Sequence, residues 1–265
     1  MSPQQRMDLV VVKIERAEKH LRDLYQSVDS FFGSGPYKVG THRDTKTGEL
    51  IYYLAEAAPI PAAIGAIAGD AIQNCRTALD HLVQQLWLVN NPNGGTSSRD
   101  VSFPTDTSAQ QFESRLQGKV GGLRQDAIDL IKALEPYDGG KGERLAVLNR
   151  VNRVDKHRAL LTTYANINID FVPDLKRIAP SLFLQLGALT SLGMFAKRET
   201  VGRLKVGDVL YVAPSEAPDD DDRKIMLGIS LSESGIPEGE SIIETVQGFA
   251  DLVRVTVGLF KECLE

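Results

Sequence analysis

Apolar residues recur at helical spacing across residues 7–32, at Leu9, Val12, Ile14, Leu21, Leu24, Tyr25, Val28 and Phe32. Gly33-Ser34-Gly35-Pro36 then breaks the pattern, as a glycine- and proline-rich tetrapeptide does at a helix end. Tyr37 to Ala57 switches to strand character. Tyr37-Lys38-Val39 and Leu50-Ile51-Tyr52-Tyr53-Leu54 flank a turn near Asp44–Gly48, which predicts a hairpin. Pro59 and Pro61 lead into a second long helix over 62–90, closed by Asn90-Asn91-Pro92-Asn93-Gly94-Gly95. Shorter helices are predicted near 108–116 and 122–134, and Gly139-Gly140 separates them from another over 142–163.

Beyond Asn166 the apolar runs shorten. Leu182–Leu186, Val206–Val212 and Ile225–Ser232 read as strands, with the Asp219–Asp222 run as a solvated loop. A last helix over 239–264 gathers Ile242, Val246, Phe249, Leu252, Val255 and Leu259 on one face. The fold class expected is mainly α with added β. One helical-bundle domain spans 1–265, with a β-hairpin insertion at 37–57 and a β-rich insertion at 166–238 before the C-terminal helix.

Composition narrows the setting. Hydrophobic residues make up 42% and charged residues 25%, as in ordinary globular chains. A net charge of −5 gives no footprint for long duplex nucleic acid, although a local basic cleft is compatible with it. Two cysteines, Cys75 and Cys263, are too few for a disulfide framework or a zinc ribbon, and a reducing, cytoplasmic setting is expected. The N-terminus lacks the apolar stretch of a signal peptide. The most apolar segment, Ala57–Gly69, is too short to span a bilayer, so no membrane association is expected.

Polar residues interrupt two of the helices where apolar ones are expected. On the second helix Ala71, Cys75, Leu79, Leu82 and Leu86 form the apolar face. At roughly 100° per residue, Asp70, Asn74 and His81 fall within about 40° of one another on one edge of it. Arg76 and Asp80 share the opposite edge and can pair at i, i+4. On the fifth helix Arg158 projects into the stripe formed by Val147, Leu148, Val151, Val154 and Leu161, with Asp155 on its edge and His157 on its flank. Buried charges need partners, so Asp155 and Arg158 should engage each other and Asn74, His81 or Arg76 from the facing helix. An innocent buried pair that only locks two helices together is the plain alternative. Convergence of Arg, His, Asp and Asn from distant segments favours a functional site.

Asn74-Cys75-Arg76-Thr77-Ala78-Leu79-Asp80-His81 holds an arginine, four residues and a histidine on one helix. It resembles the motif of the HEPN superfamily, helical-bundle proteins of prokaryotic defence and toxin–antitoxin systems, many of them metal-independent endoribonucleases. Thr77 stands where that motif usually has Asn, Asp or His, and Val83 where tyrosine is frequent. Gly69-Asp70 through Leu79-Asp80-His81, Phe103-Pro104 and Asp155-Lys156-His157-Arg158 also resemble a group of uncharacterised bacterial and phage proteins over about half the chain. The HEPN resemblance implies attack of a ribose 2′-hydroxyl on the adjacent phosphate. His81 moves the proton as general base or acid, and Arg76 stabilises charge on the phosphoryl oxygens. Asp70, Asn74, Asp80, Asp155, His157 and Arg158 become supporting residues. The resemblance also implies RNA as partner, a homodimer in which two motifs share a cleft, a possible cognate antitoxin and no cofactor. The roughly 140° between Arg76 and His81 suits a cleft shared between two chains.

Two other classes stand beside this one. A metal-binding bundle would draw on His20, His81 and His157 for zinc, nickel or iron, an arrangement similar to the DinB-like metalloproteins. His20, among Glu18, Lys19 and Arg22, looks solvent-facing, as does His42 beside Arg43. A non-catalytic interaction or immunity protein would use the polar cluster only to fix helix register. Phosphate-loop, dinucleotide and serine-elbow motifs are absent, and Gly139-Gly140-Lys141-Gly142 reads as a helix connection.

Overall fold

The structure, a computed structural model, describes residues 1–92, 101–157, 161, 163–169, 204–218 and 225–265. Helix α1 (Pro3–Gly33) starts at a capping box. Ser2 Oγ accepts from the Gln5 amide at 3.2 Å, while the Ser2 amide donates to Gln5 Oε1 at 2.8 Å. The hairpin follows as β1 (Tyr37–Arg43) and β2 (Leu50–Ala57), antiparallel, with Tyr37 opposite Ala57 and Arg43 opposite Leu50. Helix α2 (Ala62–Asn90) comes next, then α3 (Ala109–Val120), α4 (Gln125–Leu134) and α5 (Glu143–His157). The remaining elements are β3 (Thr163–Ile169), β4 (Val209–Ala213), β5 (Ile225–Leu231) and α6 (Ile242–Leu259). The protein is mainly helical with a smaller β component.

Helix α2 is the axis of the bundle. It packs against α1, α5 and α6, and buries residues on most of its circumference, from Ile64 through Ala68, Ile72, Leu79 and Val83 to Leu86. A helix apolar nearly all round has no stable place on a surface, which puts α2 in the centre. The β-hairpin is not free-standing. β4 pairs antiparallel with β2, with Leu50 opposite Ala213 and Tyr52 opposite Tyr211, so the strand order is β1-β2-β4. Leu50, Tyr52, Leu54, Leu210, Ala213 and Ala217 make a second small core beneath this sheet. β3 and β5 form a separate two-stranded ladder.

The fifth helix differs from the expectation of 142–163, because Thr163 already opens β3. Threonine, tyrosine and isoleucine over 163–169 favour an extended, pleated backbone, and pairing with β5 supplies its hydrogen bonds. The strand expected at Leu182–Leu186 and the loop at Asp219–Asp222 lie outside the described residues. Among the described residues no helix is long and apolar enough to cross a membrane.

Two glycines let the chain beyond the middle of α5 lie directly on α2. A Cβ at Gly69 would sit 2.4 Å from Asp155 Oδ1, and one at Gly65 would sit 2.8 Å from the Leu161 carbonyl oxygen. The second contact is backbone on backbone and has no side chain to swing away. Gly65→Ala is therefore expected to destabilise the fold by about 1–3 kcal/mol, as overpacking does. Gly118→Ala, in α3 with nothing within 4 Å of the added carbon, is expected to be stabilising by about 0.5–1 kcal/mol. Urea unfolding of the two variants beside the parent checks both signs.

Candidate functional site

Arg76 lies on the flank of α2 that faces the segment after residue 100, and it is buried at 7% exposure. Its Nη2 donates to Asp80 Oδ1 at 2.8 Å, one turn along the helix, and to the Phe103 carbonyl at 2.7 Å. The Phe103 amide in turn donates to Asp80 Oδ1 at 3.0 Å. Both backbone polar groups of Phe103 are thus held by one arginine and one aspartate, closing a ring in which each member satisfies another. The Phe103 ring itself is buried in the main core. Burial pulls the Arg76 guanidinium below the ordinary arginine range, and the Asp80 carboxylate opposes that pull. Arg76 Nη1 is buried without a hydrogen-bond partner among the described residues.

The expected cluster is only partly assembled. Asp155 does meet α2, with its carboxylate against Gly69. Gly69 precedes Arg76 by about 10 Å and His81 by about 18 Å of helix axis, at 1.5 Å per residue. Asp155 therefore lies at the level of Asp70 and does not reach His81, which corrects the expectation that the two share a site. Asp70 is exposed, and Asn74, half-buried, donates from Nδ2 to the Asp70 carbonyl at 2.8 Å, a local bond within the helix. His81 is half-buried, and among the described residues no hydrogen bond or ion pair engages its imidazole. Arg76 and His81 leave α2 in different directions. Arg158, together with the side chain of His157, lies outside the described residues.

Among the described residues no three of His, Cys, Asp and Glu converge to hold a metal ion. His20 is on α1 and His42 is on β1, where its ring meets Tyr53 edge-on at 5.5 Å. Burial pushes the Cys75 thiol up to about 12, so it stays protonated at neutral pH and is no nucleophile.

A second feature was not legible in the sequence. The backbone pinned by Arg76 and Asp80 runs on through Thr105–Thr107, and these residues form one wall of a cleft of about 630 Å³. Arg115 of α3 and Asn149, Arg150 and Arg153 of α5 form the others. Arg115 Nη1 pairs with Asp106 at 3.1 Å, and Arg150 Nη1 pairs with Asp138 at 3.0 Å. Arg153 is exposed and makes no ion pair among the described residues. Arg150 and Arg153 stand at i, i+3 on α5, which was a visible spacing. What the sequence did not carry is that α3 packs so as to turn Arg115 towards them.

No protein family, curated protein or solved structure matches the chain.

The ring around Phe103 makes a specific demand on stability. Arg76→Ala leaves the buried Phe103 carbonyl without its donor, while Asp80 keeps water and the Phe103 amide, and is expected to lower the unfolding free energy by about 1–3 kcal/mol. Asp80→Asn keeps an acceptor oxygen but leaves the buried guanidinium without its counter-charge, and should cost more, about 3–5 kcal/mol. Equal losses in the two variants, measured by urea denaturation, would contradict this division of labour.

Proposed function

We propose that the protein acts on RNA as a HEPN-like helical protein, with His81 as its proton-transfer residue and Arg76 as the residue that holds the Phe103 segment in place. The observation that supports it is the state of His81: half-buried, on the edge of α2 that also carries Asp70 and Asn74, with an imidazole that no neighbour among the described residues engages. A histidine so placed is able to take a proton from a ribose 2′-hydroxyl or return one to a leaving oxygen. In this reading Arg76 is a positioning residue, since its Nη2 is already committed to Asp80 and Phe103. The cation that stabilises the phosphoryl oxygens then comes from elsewhere, and a homodimer, which the HEPN resemblance implies, supplies a second copy of every arginine.

A non-catalytic interaction protein is the second reading. The engagement of Arg76 favours it, because a guanidinium locked into a buried ring cannot turn to a substrate without breaking that ring.

Incubation of a labelled RNA mixture in EDTA, with wild type and His81→Ala both shown to be folded, separates the two. Under the first reading wild type cleaves and the variant loses at least about a hundred-fold in rate, the usual share of a general acid or base. Absence of cleavage by folded wild type, or equal cleavage by the variant, would remove His81 chemistry and leave the interaction reading.

A further inference from the structure

We propose that the cleft between α3, α5 and the Thr105–Thr107 segment is a binding site for a phosphate-bearing ligand, with Arg153 as its principal contact. This deepens the RNA reading but does not require His81 to be catalytic.

The charge distribution is the first reason. Arg115, Arg150 and Arg153 face one space, and two of them have carboxylate partners, Asp106 and Asp138. Of the three, exposed Arg153 has no carboxylate partner among the described residues, in a chain whose overall charge is −5. The ion pairs of Arg115 and Arg150 each use Nη1, so both retain other N–H groups for an incoming acceptor. Guanidinium forks match the oxygens of phosphate better than any other cationic side chain.

The neutral lining is the second. Thr105, Thr107, Gln111 and Asn149 add hydroxyl and amide groups, and Ala146 and Val154 add aliphatic surface. The cleft offers polar and apolar surface in about equal measure, as a site for a base or sugar beside its phosphate would, and its volume of about 630 Å³ is in the range of small-molecule sites. One nucleotide unit, or a free polyphosphate, matches that size and that donor set.

The third is rigidity. Thr105 lies two residues from Phe103, whose amide and carbonyl are both fixed by the buried Arg76–Asp80 ring. Asp106 is anchored as well, because its amide donates to the Pro136 carbonyl at 3.2 Å and its carboxylate accepts from Arg115. The wall is therefore preorganised, and a ligand does not have to order it on binding.

The test is fluorescence anisotropy of a short labelled oligouridylate in EDTA, with inorganic pyrophosphate as competitor. The proteins compared are wild type, Arg153→Gln and Arg16→Gln. Arg16 is exposed on α1 and carries the same charge, so it controls for the loss of one positive charge. The expected result is binding that weakens roughly ten-fold in Arg153→Gln, with a salt slope smaller by about one, and stays unchanged in Arg16→Gln. Displacement of the oligonucleotide by pyrophosphate would show that phosphate groups are what the cleft holds. If pyrophosphate binds, by calorimetry, and depends on Arg153 while the oligonucleotide does not bind, the cleft stands as a small-phosphate site and the RNA reading fails. Equal weakening by both variants, or no binding of either probe to wild type, overturns the proposal. Because Arg153 makes no ion pair among the described residues, its replacement should leave the urea midpoint unchanged, so a loss of binding cannot be charged to unfolding.

Discussion

A guanidinium carried into a packed helical interior keeps its charge, so acceptors at fixed positions have to replace the water it loses. Arg76 has two, the Asp80 carboxylate one turn along the same helix and the Phe103 carbonyl from a segment 27 residues away. Because Asp80 also accepts from the Phe103 amide, the two side chains define where that segment crosses α2. The Phe103 ring enters the core from there, and the chain runs on to build the wall of the α3–α5 cleft. An apolar pair at 76 and 80 would fill similar space, yet it would not fix the backbone of 103 at one register. Directional bonding at this point gives the surface beyond it a single shape.

Much of the helical frame was legible because apolar spacing and strong breakers coincide. α1 ends at Gly33 and α2 spans Ala62–Asn90, where Pro61 precedes and Asn91-Pro92 follows. The end of α5 was obscured because Leu161 continues the helical stripe of Val147, Val151 and Val154 by spacing alone. Nothing local reveals that the following residues are claimed by a strand more than 55 residues downstream, since Thr163 pairs with Leu231. The candidate site divides in the same way. Pairing of Arg76 with Asp80 is written in their i, i+4 spacing, whereas the third member of the ring is a backbone carbonyl and has no signature in residue types. Asp155 against Gly69 was readable only as far as two helices meeting; the level of the contact along α2 is set by the two glycines that permit close approach.

The polar groups also have an order of importance that counting charges would miss. Arg76 and Asp106, both largely buried, have structural partners that fix backbone. Exposed Arg153 and half-buried His81 have none among the described residues. Groups of the first kind are committed when the chain folds, and those of the second kind remain available afterwards. That distinction moves attention from the arginine of the Arg76–His81 pair to arginines that no motif singles out.

The pairing of β4 with β2 has a consequence for how the chain is made. β1 covers one edge of β2 as soon as the hairpin closes, but the other edge waits for Val209–Ala213. That strand leaves the ribosome about 150 residues later, roughly ten to thirty seconds at ordinary rates of synthesis. Through that interval Leu50, Tyr52 and Leu54 lack the cover of Leu210 and Ala213, and a row of backbone donors and acceptors is open to any passing strand. The nascent hairpin thus carries an open edge until most of the chain has been made.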